Sequence, residues 1–346
     1  MSTESDPASA PIPFPANTPG APAAPTSAEE TEVVPLPMPQ APRVIALVGE
    51  MSFSGAVVTR VLLEDGFTVR ALCPDPAAEE ALKQNVPSGA IGKLECIRGN
   101  LDSTVSIAET LKGAWGAAFL SPLSMNGRMY RSAEHLEDVR RFCEALQSSD
   151  TARVLYHSQL SAHPVSPSIS LQQSAAAEEM VHALNRQVFR FRTGILMGSG
   201  DHFQSDYSRK ARKGSLFMGI LGYGSTNVQP LHIKDMAQCV ARIFSDDPKP
   251  LTAGLYSVAG PEITTPLDMI DMALLKAGRF KIKFHAPLFV LKLLAGAGGS
   301  QAFKEKVTLL FEGFCTDRND SARLLGPLYR LTTPQQSLDT LSADAA

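Results

Sequence analysis

The sequence predicts an α/β domain built on a doubly wound, mostly parallel sheet, and two observations support this prediction. From Arg43 onward, short apolar runs that suit buried strands alternate with longer segments that have the apolar spacing of helices. The intervals between successive runs leave room for the helical crossovers that parallel strands require. The chain has 346 residues, of which 44% are hydrophobic, and this is enough for one large core.

The first unit of the pattern is a strand, a turn, a helix and a second strand. Residues 44–48 form a continuous apolar run, as a strand buried on both faces requires. A glycine-containing turn follows, and then an apolar helix face that ends at Gly66. Residues 68–72 supply the next strand, so we expect a right-handed βαβ crossover.

The alternation continues along the chain, and three regions follow from it. Further strands are predicted at residues 93–98, 117–120, 154–157 and 188–192, with helices at 104–112, 132–147 and 174–185. Later helices are predicted at residues 235–244, 265–277, 287–294 and 302–311. The first region is a tail (1–42), and the second is a Rossmann-type dinucleotide-binding core (43–194). The third region (195–342) holds the remaining core strand or strands and a small lobe for a substrate or a partner.

The first 42 residues differ from the rest in composition. They hold 11 of the 25 prolines and five carboxylates, and they have no Lys or Arg. A segment of this kind buries too little apolar surface to offset its ordering entropy, so we expect it to be disordered. Two interpretations stay open, namely a tether for a partner and an uncommitted linker.

Composition excludes several classes of function. A net charge of −3 argues against binding to nucleic acid. The five cysteines are scattered without a CxxC pair, and the histidines form no HExxH motif, so no metal site is expected. No run of 18 apolar residues exists, and no secretory or organellar signal is recognisable. These features predict a soluble, intracellular protein, most simply a cytoplasmic one.

The turn after the first strand has the spacing of a dinucleotide-binding loop. Gly49 and Gly55 occupy the outer positions of a GxxGxxG pattern, and Ser52 replaces the middle glycine. Phe53 directly follows Ser52 in the same turn. Such a loop places a pyrophosphate at a helix N-terminus. Glu50 adds a carboxylate, which opposes an anion if it points inward. The alternative is an inherited turn that now only joins strand to helix.

The end of the second strand normally selects between the two nicotinamide cofactors. Here it reads Cys73, Pro74, Asp75 and Pro76, with no cation for a 2′-phosphate. If a cofactor binds, Asp75 favours NAD over NADP.

These motifs together resemble a known family. The stretch VIALVGEMSFSGAVVTRVLLEDGFTVRALCPDP resembles the opening of atypical short-chain dehydrogenases of the NmrA-like type, and IRGNLDS, FRTGILMGSGDHF and GLYSVAGPEITTPLDMIDMALLKAGR continue the likeness in the same order. The resemblance extends from Arg43 to Leu341 and implies a Rossmann-type fold and NAD or NADP as cofactor. It places the three turn glycines at Gly49, Ser52 and Gly55.

The resemblance also implies contacts around the rest of the cofactor. Asn100 and Leu101 fall on the Asp-Leu pair that lies near the adenine in the family. Leu120, Ser121 and Pro122 fall on the segment that lines the nicotinamide ribose. These contacts involve mostly backbone, and they tolerate side-chain change better than catalysis does.

Catalysis is where the sequence departs from the resemblance. Active relatives use a serine and a Tyr-x-x-x-Lys pair, in which the lysine lowers the pKa of the tyrosine. Ser158 matches the serine, but Ser170 and Ser174 stand at the tyrosine and lysine positions. A serine hydroxyl is too weak an acid to replace that pair, so ordinary dehydrogenase chemistry is not expected.

Three functions remain open from the sequence. The first is a protein that binds NAD or NADP and has a regulatory, redox-sensing or accessory-subunit role through a protein partner. The second is an active NAD(P)H-dependent oxidoreductase or epimerase with a divergent acid such as His157. The third is a purely structural protein that binds no cofactor.

Four other features have structural explanations. Asp235 is expected to be the N-cap of a helix, and His232 is expected to be a core or edge histidine. The segment 198–202 is expected at the rim of the cleft, where a glycine-rich turn and a ligand contact explain it equally well. The basic run 209–213 is interpreted as a solvated helix end, and an anionic partner is the alternative.

Overall fold

The computed structural model describes residues 43–121, 132–201, 203–245, 251–287, 301–309 and 312–343, together with residues 290 and 293. The predicted tail, most of the predicted helix at 287–294 and the end of the predicted helix at 302–311 lie outside these residues. The predicted boundary at residue 194 stays a prediction.

The described strands alternate with helices over the first 200 residues. The strands are β1 (Val44–Gly49), β2 (Thr68–Cys73), β3 (Leu94–Arg98), β4 (Gly116–Leu120), β5 (Arg153–Gln159), β6 (Gln187–Thr193), β7 (Leu196–Met197), β8 (Phe217–Leu221), β9 (Leu231–His232), β10 (Gly254–Val258) and β11 (Ile282–Ala286). The helices are α1 (Ser54–Glu64), α2 (Pro76–Gln84), α3 (Thr104–Leu111), α4 (Ser132–Gln147), α5 (Ile169–His182), α6 (Gln204–Arg212), α7 (Ile233–Phe244), α8 (Pro266–Lys276), α9 (Gln301–Leu309), α10 (Ser321–Leu325) and α11 (Pro334–Ala343).

Seven strands form one parallel sheet in the order β10-β6-β5-β4-β1-β2-β3. The predicted fold class is confirmed, and the remaining core strand expected after residue 194 is β10. The chain order reverses between β1 and β4, where Gly49 lies beside Leu120. In doubly wound sheets the ligand cleft opens at the carboxyl ends of the strands at this point.

The central strands β1 and β4 are buried on both faces, which explains their continuous apolar runs, whereas the edge strands β3 and β10 are only partly buried. One face packs against α1 and α7 through residues such as Leu62 and Val240. The other face packs against α3, α4 and α5 through residues such as Phe142 and Val181. Two small parallel sheets, β7 with β9 and β8 with β11, add to the part of the chain after β6. No described helix is long and apolar enough to cross a membrane.

Two helices begin where the sequence analysis did not place them. Helix α5 was expected from Ser174 but begins at Ile169, because the Ser168 side chain accepts a hydrogen bond from the amide of Leu171 (3.3 Å) and caps the helix. Helix α2 was not predicted. Its start is the Asp-Pro pair after β2, in which Asp75 is the N-cap and Pro76 the first helical residue.

Asp235 is not an N-cap, so that prediction is wrong. Helix α7 begins two residues earlier, and His232 caps it by accepting a hydrogen bond from the amide of Lys234 (3.3 Å). The Asp235 carboxylate is instead buried and accepts hydrogen bonds from the Tyr329 hydroxyl (2.8 Å) and the Thr332 amide (2.7 Å). Asp235 therefore holds the C-terminal segment against the core.

We expect Asp235→Ala to lower the free energy of unfolding by about 2–4 kcal/mol, because two donors lose their acceptor. Chemical denaturation measures this loss, and limited proteolysis should show faster cleavage after Gly326. The control, Glu109→Ala on the exposed face of α3, should change the stability by less than about 0.5 kcal/mol. Equal stability of the two variants would contradict the anchoring role.

Candidate functional site

The turn after β1 presses closely against the end of β4. Gly49 has φ +108°, and a Cβ atom at this position would lie 2.2 Å from the carbonyl oxygen of Leu120. The amide of Glu50 donates a hydrogen bond to the same oxygen (2.8 Å). At Gly55 a Cβ atom would lie 2.5 Å from the Glu50 carbonyl oxygen. Both outer glycines of the motif are therefore required by close backbone approach, whereas Ser52 at the middle position is exposed.

The Glu50 carboxylate lies at the start of helix α1, where an anion is expected to bind. Its oxygens accept hydrogen bonds from the backbone amides of Ser52 (2.6 Å), Phe53 (2.8 Å) and Ser54 (2.7 Å). The Ser54 hydroxyl donates to it as well (2.6 Å), and so does the Ser52 hydroxyl. The half-buried Phe53 is the N-cap residue and makes no side-chain cap, so the glutamate takes over this role.

The electrostatics of this turn favour the ionised form of Glu50. Burial by itself raises the pKa of Glu50, but hydrogen bonds from Ser52, Ser54 and the backbone outweigh it and hold the pKa below its ordinary value. The glutamate is therefore an anion at neutral pH. The partial positive charge at the N-terminus of α1, which would attract a phosphate, is therefore balanced by the Glu50 carboxylate.

The predicted adenine side of the site is a cleft at the ends of β1, β2 and β3. Gly49, Pro74, Asn100 and Leu101 line a cavity of about 540 Å³ together with Leu72, Gly99, Asp102, Glu134, Glu137, Asp138 and Arg141. Most of the charges in this lining are negative. Burial and the neighbouring carboxylates raise the pKa of Asp138 to about 6, although Arg141 opposes the shift.

Asp75 does not belong to the residues that line this cleft. Its carboxylate accepts a hydrogen bond from the amide of Ala78 (2.7 Å) and caps helix α2. Leu120 and Ser121 lie at the end of β4 as expected, and the Ser121 hydroxyl donates to the carbonyl oxygen of His157. Pro122 lies outside the described residues.

Ser158 belongs to a buried polar network. Its hydroxyl donates a hydrogen bond to Glu178 Oε1 (2.5 Å), and Glu178 is only 2% exposed. Arg192 donates to both carboxylate oxygens, through Nε (2.7 Å) and Nη2 (2.6 Å). A hydroxyl has one proton, and here that proton is directed at a carboxylate rather than at the cleft.

The serines at the tyrosine and lysine positions are also bonded within the protein. Ser174 Oγ accepts a hydrogen bond from Gln159 Nε2 (2.9 Å). The Ser170 hydroxyl (2.6 Å) and amide (3.0 Å) both donate to Glu305 Oε1 in α9. Glu305 also accepts from Ser168 and from the amide of Ile169 (3.2 Å), so it covers the N-terminus of α5.

His157 is fully buried in β5 and lies next to Ser158. Its Nε2 is 2.8 Å from the Thr193 hydroxyl, and its Nδ1 has no hydrogen-bond partner among the described residues. Burial lowers the pKa of His157 to about 3, although the charge of Glu50 acts in the opposite direction. A general acid works best with a pKa near the operating pH, so the imidazole is poorly suited to donate a proton.

Two further predicted features make hydrogen bonds within the protein, and their ligand-binding alternatives stay predictions. In the segment 198–202, Asp201 accepts hydrogen bonds from the amides of Gly198 (2.8 Å) and Phe203 (2.6 Å), and His202 lies outside the described residues. The basic run lies at the end of α6, where the buried Lys281 donates to the carbonyl oxygens of Lys210 (2.6 Å) and Lys213 (2.8 Å). Within the described ranges no cluster of acidic, histidine or cysteine side chains could hold a metal ion.

Solved structures with this architecture share the fold over most of their length. NADPH-dependent quinone oxidoreductase QOR2 of Escherichia coli in complex with NADPH has a TM-score of 0.66 and 16% identity, and the alignment covers 86% of this chain and 99% of that chain. MoeE5 in complex with UDP-glucuronic acid and NAD has a TM-score of 0.65 and 16% identity, with 88% and 100% covered. Triphenylmethane reductase of Citrobacter sp. with NADP(H) has a TM-score of 0.63 and 14% identity, with 86% and 99% covered. The chain has the fold of these proteins.

Similarity in sequence is narrower. One curated relative, the mitochondrial NADH dehydrogenase [ubiquinone] 1 alpha subcomplex subunit 9 of Arabidopsis thaliana, is 28% identical over 143 residues. The match covers 41% of this chain and about a third, 35%, of the relative. No protein-family model matches the chain. The fold that the sequence resemblance implied is confirmed by the solved structures.

The buried network at Ser158 leads to a stability prediction. Glu178→Ala should lower the free energy of unfolding by about 3 kcal/mol or more, because Arg192 loses its bidentate partner in a largely buried position. Glu144 is the matched control, because it is 44% exposed and pairs with Arg140, which is 47% exposed. Glu144→Ala should change the stability by less than about 0.5 kcal/mol in the same denaturation experiment. A Glu178 variant as stable as the control would contradict this role.

Proposed function

We propose that this chain is a nicotinamide-dinucleotide-binding protein of the atypical short-chain dehydrogenase type that lacks ordinary dehydrogenase activity and has an accessory or regulatory role. One observation supports this best, namely the state of the three serines at the catalytic positions. The hydroxyls of Ser158 and Ser170 donate to carboxylates, and the hydroxyl of Ser174 accepts from an amide.

The chemistry of those serines supports the proposed loss of activity. In the family that the sequence resembles, a tyrosine of lowered pKa exchanges the proton and a lysine cation assists it. No such cation is possible at Ser174, and Ser170 is fully buried against Glu305. Loss of a general acid alone reduces a rate by about 10²–10⁴. Residues 170 and 174 are 0% and 1% exposed, so they leave no space for a larger side chain to be restored without repacking.

NAD or NADP is the proposed cofactor, and it fits only part of the site. The close approach at Gly49 and Gly55 and the free volume beside Asn100 suit a dinucleotide-binding turn. The amides of Ser52, Phe53 and Ser54 at the entry to α1 do not suit a pyrophosphate as they are arranged, because Glu50 accepts their hydrogen bonds. A bound dinucleotide would supply redox chemistry, but the described residues at the three catalytic positions, Ser158, Ser170 and Ser174, offer no suitable acid to pair with it.

The proposed accessory role takes its support from the curated relative. That protein is by name a subunit of a subcomplex of NADH dehydrogenase. A fold whose catalytic positions are used for internal hydrogen bonds can still present surfaces to a protein partner, and we propose that this chain does so. The same name places the relative in the mitochondrion, so the predicted cytoplasmic location of this chain is open to test.

Turnover measurements test the proposed absence of catalysis. Purified protein with saturating NADH or NADPH should show no oxidation of the cofactor above background with a panel of quinones, aldehydes and sugar nucleotides. Cofactor binding is measured in parallel by quenching of the intrinsic fluorescence of Trp115, and a related active reductase is the positive control. Steady hydride transfer that is lost in Ser158→Ala or His157→Ala would overturn the proposal and favour the active oxidoreductase or epimerase.

A further inference from the structure

We propose that the Glu50 carboxylate is an internal competitor for the pyrophosphate of a dinucleotide, and that the site accepts such a ligand only when this side chain leaves the turn. The inference rests on the proposed function, because it takes the turn after β1 as the cofactor site. It adds a residue that determines ligand selectivity at that site.

The hydrogen bonds of Glu50 match those that a phosphate would make. An α-helix begins with backbone N–H groups that have no partner within the helix, and these groups bind phosphate in dinucleotide folds. In this chain the amides of Ser52, Phe53 and Ser54 all point at Glu50, at 2.6–2.8 Å. A phosphate oxygen and the carboxylate cannot occupy the same donors.

The competition is also electrostatic, because the described residues around the cleft provide little positive charge. Among the described residues that line the cleft, Arg141 is the one cation, and it lies 3.2 Å from both Glu137 and Asp138. Pro74 stands where the end of β2 would offer a cation to a 2′-phosphate. A dinucleotide that bound beside an unmoved Glu50 would therefore place its phosphates against a carboxylate, while the described cation of the cleft is already paired with two acidic side chains.

This arrangement discriminates between two classes of ligand. Adenosine carries no phosphate and needs only the cleft beside Asn100 and Leu101. ADP-ribose and NADH need that cleft and the amides of the turn. Glu50 should therefore weaken binding of the phosphate-containing ligands and leave adenosine binding unaffected.

Calorimetric titration of wild type, Glu50→Ala and Glu50→Gln with adenosine, ADP-ribose and NADH tests the inference. Glu50→Ala should bind ADP-ribose and NADH at least about tenfold more tightly than wild type, a factor that is readily measured. Its affinity for adenosine should change less than about twofold. Glu50→Gln keeps a side chain that can accept hydrogen bonds but removes the charge, and its gain should be intermediate.

Glu64→Gln is the matched control, because it removes one negative charge at the other end of the same helix, where Glu64 forms an exposed pair with Arg60. It should bind all three ligands as the wild type does. Circular dichroism checks that each variant is folded, and Glu50→Gln keeps the test valid if Glu50→Ala unfolds.

Two results would overturn the inference. One is equal affinity of wild type and both Glu50 variants for NADH, including the case in which none of them binds. The other is an equal gain for adenosine, which would mean that the cleft as a whole has changed. The pattern of results separates this from failure of the proposed function. Equal and measurable affinities overturn the inference alone, hydride transfer by the wild type overturns the proposed loss of activity alone, and absence of NADH binding by all three proteins overturns the inference and the proposed cofactor binding together.

Discussion

The amides of Ser52, Phe53 and Ser54 at the entry to helix α1 need acceptors, and in this protein the Glu50 carboxylate supplies them. In a dinucleotide-binding fold these amides are the feature that makes the site attractive to phosphate. Glu50 lies one residue after Gly49, and the tight turn at Gly49 brings its carboxylate back over the helix start. The stability of the turn and its affinity for ligand are therefore opposed, because one set of donors serves both.

Around Ser158 and helix α5, too, side chains of the protein accept hydrogen bonds that a bound ligand could otherwise accept. The N-terminus of α5 is covered by Glu305, and the Ser158 hydroxyl is directed at Glu178. In an active reductase the corresponding groups must stay available to substrate and cofactor. Here each is satisfied within the protein, so these groups do not need a ligand to complete their hydrogen bonds. The proposed loss of dehydrogenase activity rests on this internal bonding.

The fold could be predicted largely from the sequence, because most of its strands and helices show themselves in the residue pattern of a few neighbouring positions. Six strands of the main sheet were predicted from such short segments, whereas β10 could be expected only as a remaining strand. Helix α2 was missed because its capping pair, Asp75 and Pro76, was interpreted only as the end of a strand. Asp235 was misassigned because its partners, Tyr329 and Thr332, are distant in sequence.

In the candidate site, too, features that depend on neighbouring residues could be predicted, and contacts between distant residues could not. The assignment of Ser170 and Ser174 to the tyrosine and lysine positions stays a prediction from the resemblance. The proximity of Glu50 to the turn could be predicted, because both lie within a few residues of each other in the sequence. The partners of the serines could not be predicted. Glu178 is 20 residues from Ser158, and Glu305 is 135 residues from Ser170. Only the folded chain brings these groups together, and no motif records them.

The claim that Glu50 occupies the anion site is tested most directly by an NMR titration of its carboxyl carbon in the ligand-free protein. The pKa of Glu50 should lie below the ordinary glutamate range, because the carboxylate accepts three backbone hydrogen bonds. The amide protons of Ser52, Phe53 and Ser54 should shift with the same midpoint. An ordinary or raised pKa of Glu50, with no linked change at those amides, would contradict the claim that this side chain occupies the anion site.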